Sequence, residues 1–367
     1  MSRFGKGKAI VVLGPRQTGK TTLVKTVLQG MPHLFLNGDD ATVCQMFLEA
    51  GKEKIKTIIG NHNIVFIDEA QRITNMGLIG KIFTDQFPDV QLILSGSSSF
   101  EINETISEPM TGRQWQFQLF PISWKEFEDH AGQLEARGQL ERRMIFGMYP
   151  EIITNAGDET ELLTSLTGGY LYKDILAHSG IRKSDLLDKL LRALAWQVGK
   201  QVSFNELAQL VGCDKNTAMK YIDLLEKCFI VYRLHAYSRN LRNEIKHSQK
   251  IYFQDNGIRN AIIGNFDLPA KRADTGALWE NFIITERRKM LANSGSLARS
   301  YFWRSRSQQE VDYLEEHRGT LQAWEFKWNS RKKIKALRSF RDAYHLTPTA
   351  INPENFAEFV GITPAFS

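Results

Sequence analysis

Hydrophobic positions in the first 120 residues fall into short apolar runs separated by stretches of helical periodicity. The runs Ala9–Leu13, Leu34–Leu36, Ile64–Ile67, Gln91–Leu94 and Gln116–Leu119 predict strands, and the β-branched ones suit a sheet covered on both faces. Helical patterns lie between them, including Thr21–Gln29 and Gly77–Asp85, and this alternation predicts a parallel α/β sheet. From Pro121 to Lys200 the spacing turns helical, with Leu162, Leu163, Leu166, Leu186, Leu187, Leu190, Leu191 and Leu194 on helix-like intervals, as in a lid or connecting bundle. Ser203 and Glu206 form a capping box before Leu207–Val211, Gly212 ends that helix, and Asp214 caps a second helix running to Glu226. With the β-prone Phe229–Leu234 behind them, these two helices outline a winged helix-turn-helix. Strands at Lys250–Gln254, Ser300–Arg304, Glu310–Leu314 and Thr320–Lys327, with a helix at Thr275–Leu291, then predict a mixed α/β unit.

Length and composition narrow this picture. The 367 residues suffice for two or three domains, and 42% apolar with 24% charged residues argues against disorder. Cys44, Cys213 and Cys228 are an odd set without C-x-x-C spacing, so neither a disulfide framework nor a zinc knuckle is expected. No apolar run reaches the roughly 18 residues of a membrane span, and Ala9–Leu13 is too short for a signal-peptide core, so a cytoplasmic, non-membrane protein is expected. Charge is uneven: residues 1–200 carry 22 Lys/Arg against 23 Asp/Glu, and residues 201–367 carry 25 against 18. That leaves −1 in the first part and +7 in the second, which suggests a polyanionic partner for the latter; a solvated basic surface is the plainer explanation.

The sharpest chemical signal is Gly14-Pro15-Arg16-Gln17-Thr18-Gly19-Lys20-Thr21, which satisfies G-x-x-x-x-G-K-[ST] between a strand and a helix. Its glycines let backbone N–H groups wrap phosphate, Lys20 reaches the β- and γ-phosphates of ATP, Thr21 ligates Mg²⁺, and Thr22 continues the helix N-terminus facing the anion. Ile64–Ile67 ends in Asp68-Glu69, so Asp68 can hold Mg²⁺ through water while Glu69 orients or deprotonates the attacking water. Ser95-Gly96-Ser97-Ser98 follows the next strand at the same sheet edge. Ser97 there either senses the γ-phosphate or belongs to a plain turn.

These motifs, followed by Gly112-Arg113 and Phe120-Pro121-Ile122-Ser123-Trp124-Lys125-Glu126-Phe127, resemble a widespread group of bacterial and archaeal AAA+ ATPases. In that group the ATPase precedes domain of unknown function 4143, whose signatures Tyr149-Pro150-Glu151, Tyr172-Lys173-Asp174-Ile175 and Phe253-Gln254-Asp255-Asn256-Gly257 resemble. Members usually carry a helical segment before the first strand, whereas Ala9 follows only eight residues here, which bears on the completeness of the adenine pocket. The resemblance implies that Arg113 senses the γ-phosphate, in its own subunit or across an interface of a homo-oligomer; the alternative is a surface arginine paired with Glu108.

In the second helix of the helix-turn-helix, Lys215, Asn216 and Lys220 would face a DNA groove while Ala218, Tyr221, Leu224 and Leu225 turn inward. The last third brings Glu280, Asp312 and Glu325-Phe326-Lys327 in the order helix, strand, strand. Oxygen ligands from Glu280, Asp312 and Glu325 suit Mg²⁺, and Lys327 shares a strand face with Glu325, where it can position or activate water. This looks like the PD-(D/E)xK restriction-endonuclease-like core, consistent with the fold ascribed to domain 4143. Arg304 and Arg331-Lys332-Lys333 could touch phosphates nearby, or form a solvated surface. The expected organisation is an AAA+ P-loop core at 1–125, a helical lid at 126–200, a winged-helix-like segment at 201–245 and a nuclease-like domain at 246–367. The expected function is ATP hydrolysis coupled to a nuclease-like module that acts on or docks to nucleic acid. The alternatives are a nucleotide-dependent switch that binds a protein partner through a non-catalytic nuclease fold, and a DNA-binding regulator.

Overall fold

A computed structural model describes residues 3–97, 110–171, 184–238, 249–305, 307–332 and 338–362. Ser98, Glu108, Tyr172-Lys173-Asp174-Ile175 and Lys333, named above, lie outside the described residues. The chain forms two compact units, Met1–Pro121 with Lys227–Phe229, and Ile122–Glu226 with Ile230–Ser367.

In the first unit, strands β1 (Ala9–Leu13), β2 (Leu34–Asn37), β3 (Ile64–Asp68), β4 (Gln91–Gly96) and β5 (Gln114–Gln118) form one sheet ordered β2-β3-β4-β1-β5. Every pairing in it is parallel. Helices α1 (Lys20–Val27), α2 (Ala41–Phe47), α3 (Lys52–Ile59) and α4 (Met76–Gln86) supply the crossovers. The central strands are apolar on both faces because both are covered. Val11, Leu13, Val65, Ile67, Leu92 and Leu94 pack toward Phe47, Ile55 and Phe83, while Val12, Phe66 and Ile93 pack with Val24 and Leu28.

The second unit holds a seven-stranded mixed sheet ordered β12-β11-β10-β9-β7-β8-β6. Its strands are β6 (Gln201–Val202), β7 (Val231–Ala236), β8 (Gln249–Phe253), β9 (Arg299–Arg304), β10 (Glu310–His317), β11 (Thr320–Phe326) and β12 (Thr349–Ile351). β6 and β7 both pair with β8, and β7 pairs with β9, so the strands of residues 201–245 share one sheet with those of the C-terminal stretch. The helices Phe204–Val211 and Lys215–Lys227 form where local signals place them. Gly212 ends the first in the left-handed conformation at φ 78°, and Asp214 accepts from the Thr217 N–H at 3.0 Å. Lys215, Asn216 and Lys220 are exposed, Ala218, Leu224 and Leu225 are buried, and Tyr221 is half-buried.

Helix Thr275–Asn293 is the main buried helix of this unit, with Leu278, Trp279, Phe282, Ile283 and Ile284 in the core. Its Glu286 accepts from the Trp124 backbone N–H at 2.5 Å, and its Lys289 pairs with Glu286 at 2.6 Å and donates to the Ile122 carbonyl. The helix Trp124–Ala131 thereby starts against it, closed by a capping box between Ser123 and Glu126. Asp255 is likewise buried and accepts from the N–H groups of Met148, Gly257 and Ile258, which explains why the Phe253–Gly257 signature tolerates an acid inside an apolar core. No described helix is long and apolar enough to cross a membrane.

Candidate functional site

The C-terminal edge of the parallel sheet gathers the residues that the sequence singles out. β1 ends at Leu13, and residues 14–19 turn back into α1, with Gln17 and Gly19 in left-handed conformations at φ 60° and 87°. A Cβ on Gly14 would overlap the Leu119 carbonyl oxygen, so only glycine fits where the loop leaves the sheet. Lys20 is buried over the loop, and its ammonium donates to the carbonyls of Gly14 at 3.0 Å and Pro15 at 2.7 Å; Thr18 also donates to Pro15. Pro15 and Arg16 complete this turn, and Thr21 and Thr22 stand in the first turn of α1.

Thr21 Oγ1 donates to Asp68 Oδ2 at 2.6 Å, and Ser95 Oγ donates to Asp68 Oδ1. β3 pairs between β2 and β4, which brings Asp68 next to the loop although 47 residues separate it from Thr21. Glu69 follows in the left-handed region at φ 48°, and Gly38 packs so closely that a Cβ there would overlap the Glu69 carbonyl oxygen. Ser97 is buried at the end of β4. Gln71, which sequence reasoning did not single out, donates from one amide nitrogen to Glu69 Oε2 at 2.5 Å and to Ser97 Oγ at 3.0 Å. Its signal in the chain is only its position two residues after the acidic pair.

Arg113 is placed elsewhere. Its carbonyl accepts from Ala9 N, where β1 and β5 begin, while the phosphate loop follows Leu13 at the other end of β1. Five residues of strand separate the two edges, about 16 Å at roughly 3.3 Å per residue. The guanidinium donates to Asp85 at 2.6 Å, and this contact lowers the Asp85 pKa and raises that of Arg113. The parallel sheet thus puts the start of β5, and Arg113 with it, at the edge opposite the phosphate loop.

A second polar cluster lies in the second unit. Asp312 stands on β10 at an irregularity in the pairing with β9, and Glu325 lies on the neighbouring β11, just beyond the Tyr313–Trp324 pair. Phe326 N donates to Asp312 Oδ2 at 2.8 Å, and the Lys327 ammonium meets Glu325 at 2.6 Å and Asp312 at 3.5 Å. Glu280 accepts from Tyr252 OH at 2.5 Å and pairs with Lys250 at 3.0 Å, while Lys250, 1% exposed, also pairs with Glu310 at 2.6 Å. Lys250 and Tyr252 alternate on one face of β8 and were not among the expected residues; a lysine directly before the apolar run Ile251–Phe253 is the sequence signal that could have marked it.

Burial pushes Glu280 up to about 7, and Asp312 adds to the rise while Lys250 opposes it. Burial and Asp312 push Glu325 up to about 7 against the pull of Lys327. Burial works to lower the pKa of both lysines, yet the surrounding carboxylates hold both above the ordinary lysine value. One oxygen of Glu325 is buried without a hydrogen-bond partner, as a ligand atom would be. Among the described residues, however, no group of three or more His, Cys, Asp or Glu side chains is arranged to hold a metal ion. Glu280, Asp312 and Glu325 nonetheless lie close enough to act on one another: Asp312 raises both glutamates, and Glu280 adds to the rise of Glu325. Ammonium groups stand on each of them, because a buried carboxylate needs a counter-charge.

Parallel sheet, phosphate loop and acidic strand end together define a P-loop nucleotide-binding protein of the AAA class. Residues 6–128 match the AAA domain family, residues 137–268 domain of unknown function 8612 and residues 275–358 domain of unknown function 4143. The chain thus joins a stretch that matches the AAA domain to one that matches domain of unknown function 4143, the combination that its sequence resembles, while the signatures Tyr149-Pro150-Glu151, Tyr172-Lys173-Asp174-Ile175 and Phe253-Gln254-Asp255-Asn256-Gly257 fall in the stretch that matches domain 8612. It is similar to an uncharacterized protein of Mycobacterium tuberculosis, 25% identical over 345 residues that cover 92% of this chain and 74% of the relative. An uncharacterized protein of Methanocaldococcus jannaschii is 23% identical over 331 residues, covering 84% of this chain and 72% of that protein. Among solved structures, a Walker-type ATPase of Pyrococcus abyssi matches with a TM-score of 0.47 and 14% identity, over 70% of this chain and 91% of that one.

Proposed function

We propose that the chain binds and hydrolyses ATP at the loop of residues 14–21, and that its C-terminal part couples this reaction to a macromolecular partner. The observation that carries the proposal is the junction of Thr21 with Asp68, flanked by Glu69 and Ser97 at the same sheet edge. Backbone N–H groups of the loop and the N-terminus of α1 bind the phosphates, and Lys20 exchanges its carbonyl partners for the β- and γ-phosphate oxygens. Thr21 and Asp68 offer the hard oxygen donors that would hold Mg²⁺, which supplies charge neutralisation on the phosphates when bound. Glu69 accepts the proton of the attacking water, whose oxygen bonds the γ-phosphorus as the bond to the β-γ bridging oxygen breaks, giving ADP and phosphate. Ser97 contacts the γ-phosphate. Arg113 acts only across an interface, on the nucleotide of a neighbouring copy in a homo-oligomer.

In the second unit the winged-helix reading of residues 201–245 and the restriction-endonuclease-like reading of residues 246–367 are supported by the capped helix pair with exposed Lys215, Asn216 and Lys220, and by the order Glu280, Asp312, Glu325, Lys327. DNA or another nucleic acid is the partner that the basic surplus favours. The lysine-bridged carboxylates favour the second reading, a nucleotide-driven switch whose nuclease-like fold docks without cutting. Equilibrium ATP titration and phosphate release test the first part: Lys20→Ala loses ATP binding, whereas Glu69→Gln keeps ATP and loses turnover. Equal ATP affinity in wild type and Lys20→Ala refutes the site. Loss of affinity for single- or double-stranded DNA with rising salt tests the partner, and no DNA binding at low salt favours a protein partner.

A further inference from the structure

We infer that Gln71 is a positioning residue that aims Glu69 and makes its aim depend on Ser97. The inference deepens the hydrolysis reading above and rests on it. The left-handed Glu69 turns the chain at the end of β3 into the short turn Ala70–Arg72, which returns Gln71, 9% exposed, to the side of its own acidic neighbour. A carboxylate only accepts hydrogen bonds, so the amide NH₂ must face it, and that nitrogen bridges Glu69 Oε2 at 2.5 Å and Ser97 Oγ at 3.0 Å. This is the one hydrogen bond of the Glu69 carboxylate among the described residues. The Gln71 carbonyl oxygen is buried without a partner, so the side chain is placed by its two donor contacts rather than by full satisfaction of the amide.

Two consequences follow from chemistry alone. Glutamate has three side-chain torsions, and a general base must hold its oxygen within a few tenths of an ångström of the productive position, so loss of the amide disperses the base. Ser97 shares the same amide. When its hydroxyl turns toward a γ-phosphate oxygen, the amide shifts with it and the Glu69 carboxylate follows. Gln71 thus relays occupancy of the phosphate site to the group that activates water, without touching the nucleotide itself.

Gln71→Met tests this on the full-length protein, because it preserves volume and burial while removing both donors. The expected result is a kcat for ATP lowered about 10- to 100-fold, with Kd for ATP within about two-fold of wild type. Gln71→His, which restores an N–H at similar reach, recovers part of kcat, a response that a purely structural role would not give. Ser97→Ala lowers kcat as well and adds little to Gln71→Met in the double variant, since both cut the same bridge. Wild-type turnover with an unchanged kcat in Gln71→Met overturns the inference, as do fully additive losses. Wild-type protein that binds ATP without turnover overturns the hydrolysis reading instead. Melting temperatures report folding, and Gln71→His and Ser97→Ala carry the test if Gln71→Met does not fold.

Discussion

Lys250→Met probes what the C-terminal carboxylates are for. The ammonium is almost fully buried, 3.0 Å from Glu280 and 2.6 Å from Glu310, and methionine replaces its stem without its charge. Removing one partner of a buried pair typically costs about 3–5 kcal/mol, because the remaining charge is left without compensation. The cost must depend on pH. Glu280 already titrates at about 7 with Lys250 in place, and losing the ammonium raises it further, so below that pH the carboxyl is neutral and needs no counter-ion. We expect most of the penalty at pH 8 and a smaller one at pH 6, with each proton worth at most about 1.4 kcal/mol per pH unit. Six of the seven tryptophans lie in the second unit, all but Trp115, so urea unfolding followed by tryptophan fluorescence reads this unit selectively. Lys250→Met/Glu280→Gln should regain most of the lost stability. A penalty independent of pH, together with no rescue by Glu280→Gln, refutes the counter-ion argument. Restoration of Lys250→Met by Mn²⁺ would make the carboxylates metal ligands and return weight to nuclease chemistry.

The remaining expectations are simpler. Glu280 and Glu325 both titrate at about 7 in the folded chain against 4.5 ordinarily, so the folded state holds the extra protons between those values; their contribution is full below about 4.5 and declines as pH rises to about 7. Fluorescence-monitored stability of the second unit that rises from pH 5 to 7 would contradict this sign. Lys327→Ala should abolish any cutting of DNA or RNA while sparing most of the affinity; a broad substrate panel left uncut by wild type with Mg²⁺ or Mn²⁺ and ATP supports docking. Gly14→Ala forces a methyl onto the Leu119 carbonyl and should cost about 1–3 kcal/mol along with ATP affinity, measured by thermal melting and titration; wild-type values for both would refute the close approach.

Much of this protein is written in short stretches of chain. The apolar run Ala9–Leu13 is β1 residue for residue, the loop before Lys20 follows from its glycines, and Gly212 and Asp214 mark a helix end and a helix start by hydrogen bonds to their own neighbours. Such features depend on backbone torsions and contacts a few residues apart, so periodicity and capping chemistry suffice to find them. The match of residues 6–128 to the AAA domain likewise follows from motifs in order. What the sequence could not decide is which side chains meet. Arg113 reads as a phosphate sensor in its own subunit or a neighbouring one, and only the parallel pairing of β1 with β5 shows that it stands at the edge opposite its own loop. Glu280, Asp312 and Glu325 read from the sequence as acids beside a single lysine, and only the sheet shows β8 delivering Lys250, 30 residues before Glu280, onto that glutamate. Gln71 becomes a candidate only when the turn after β3 lays it between Glu69 and a serine 26 residues further on. Electrostatic and hydrogen-bond partners are set by sheet order and by burial, which strengthens every charge it encloses. A lysine or a glutamine carries no mark of that environment in its local sequence.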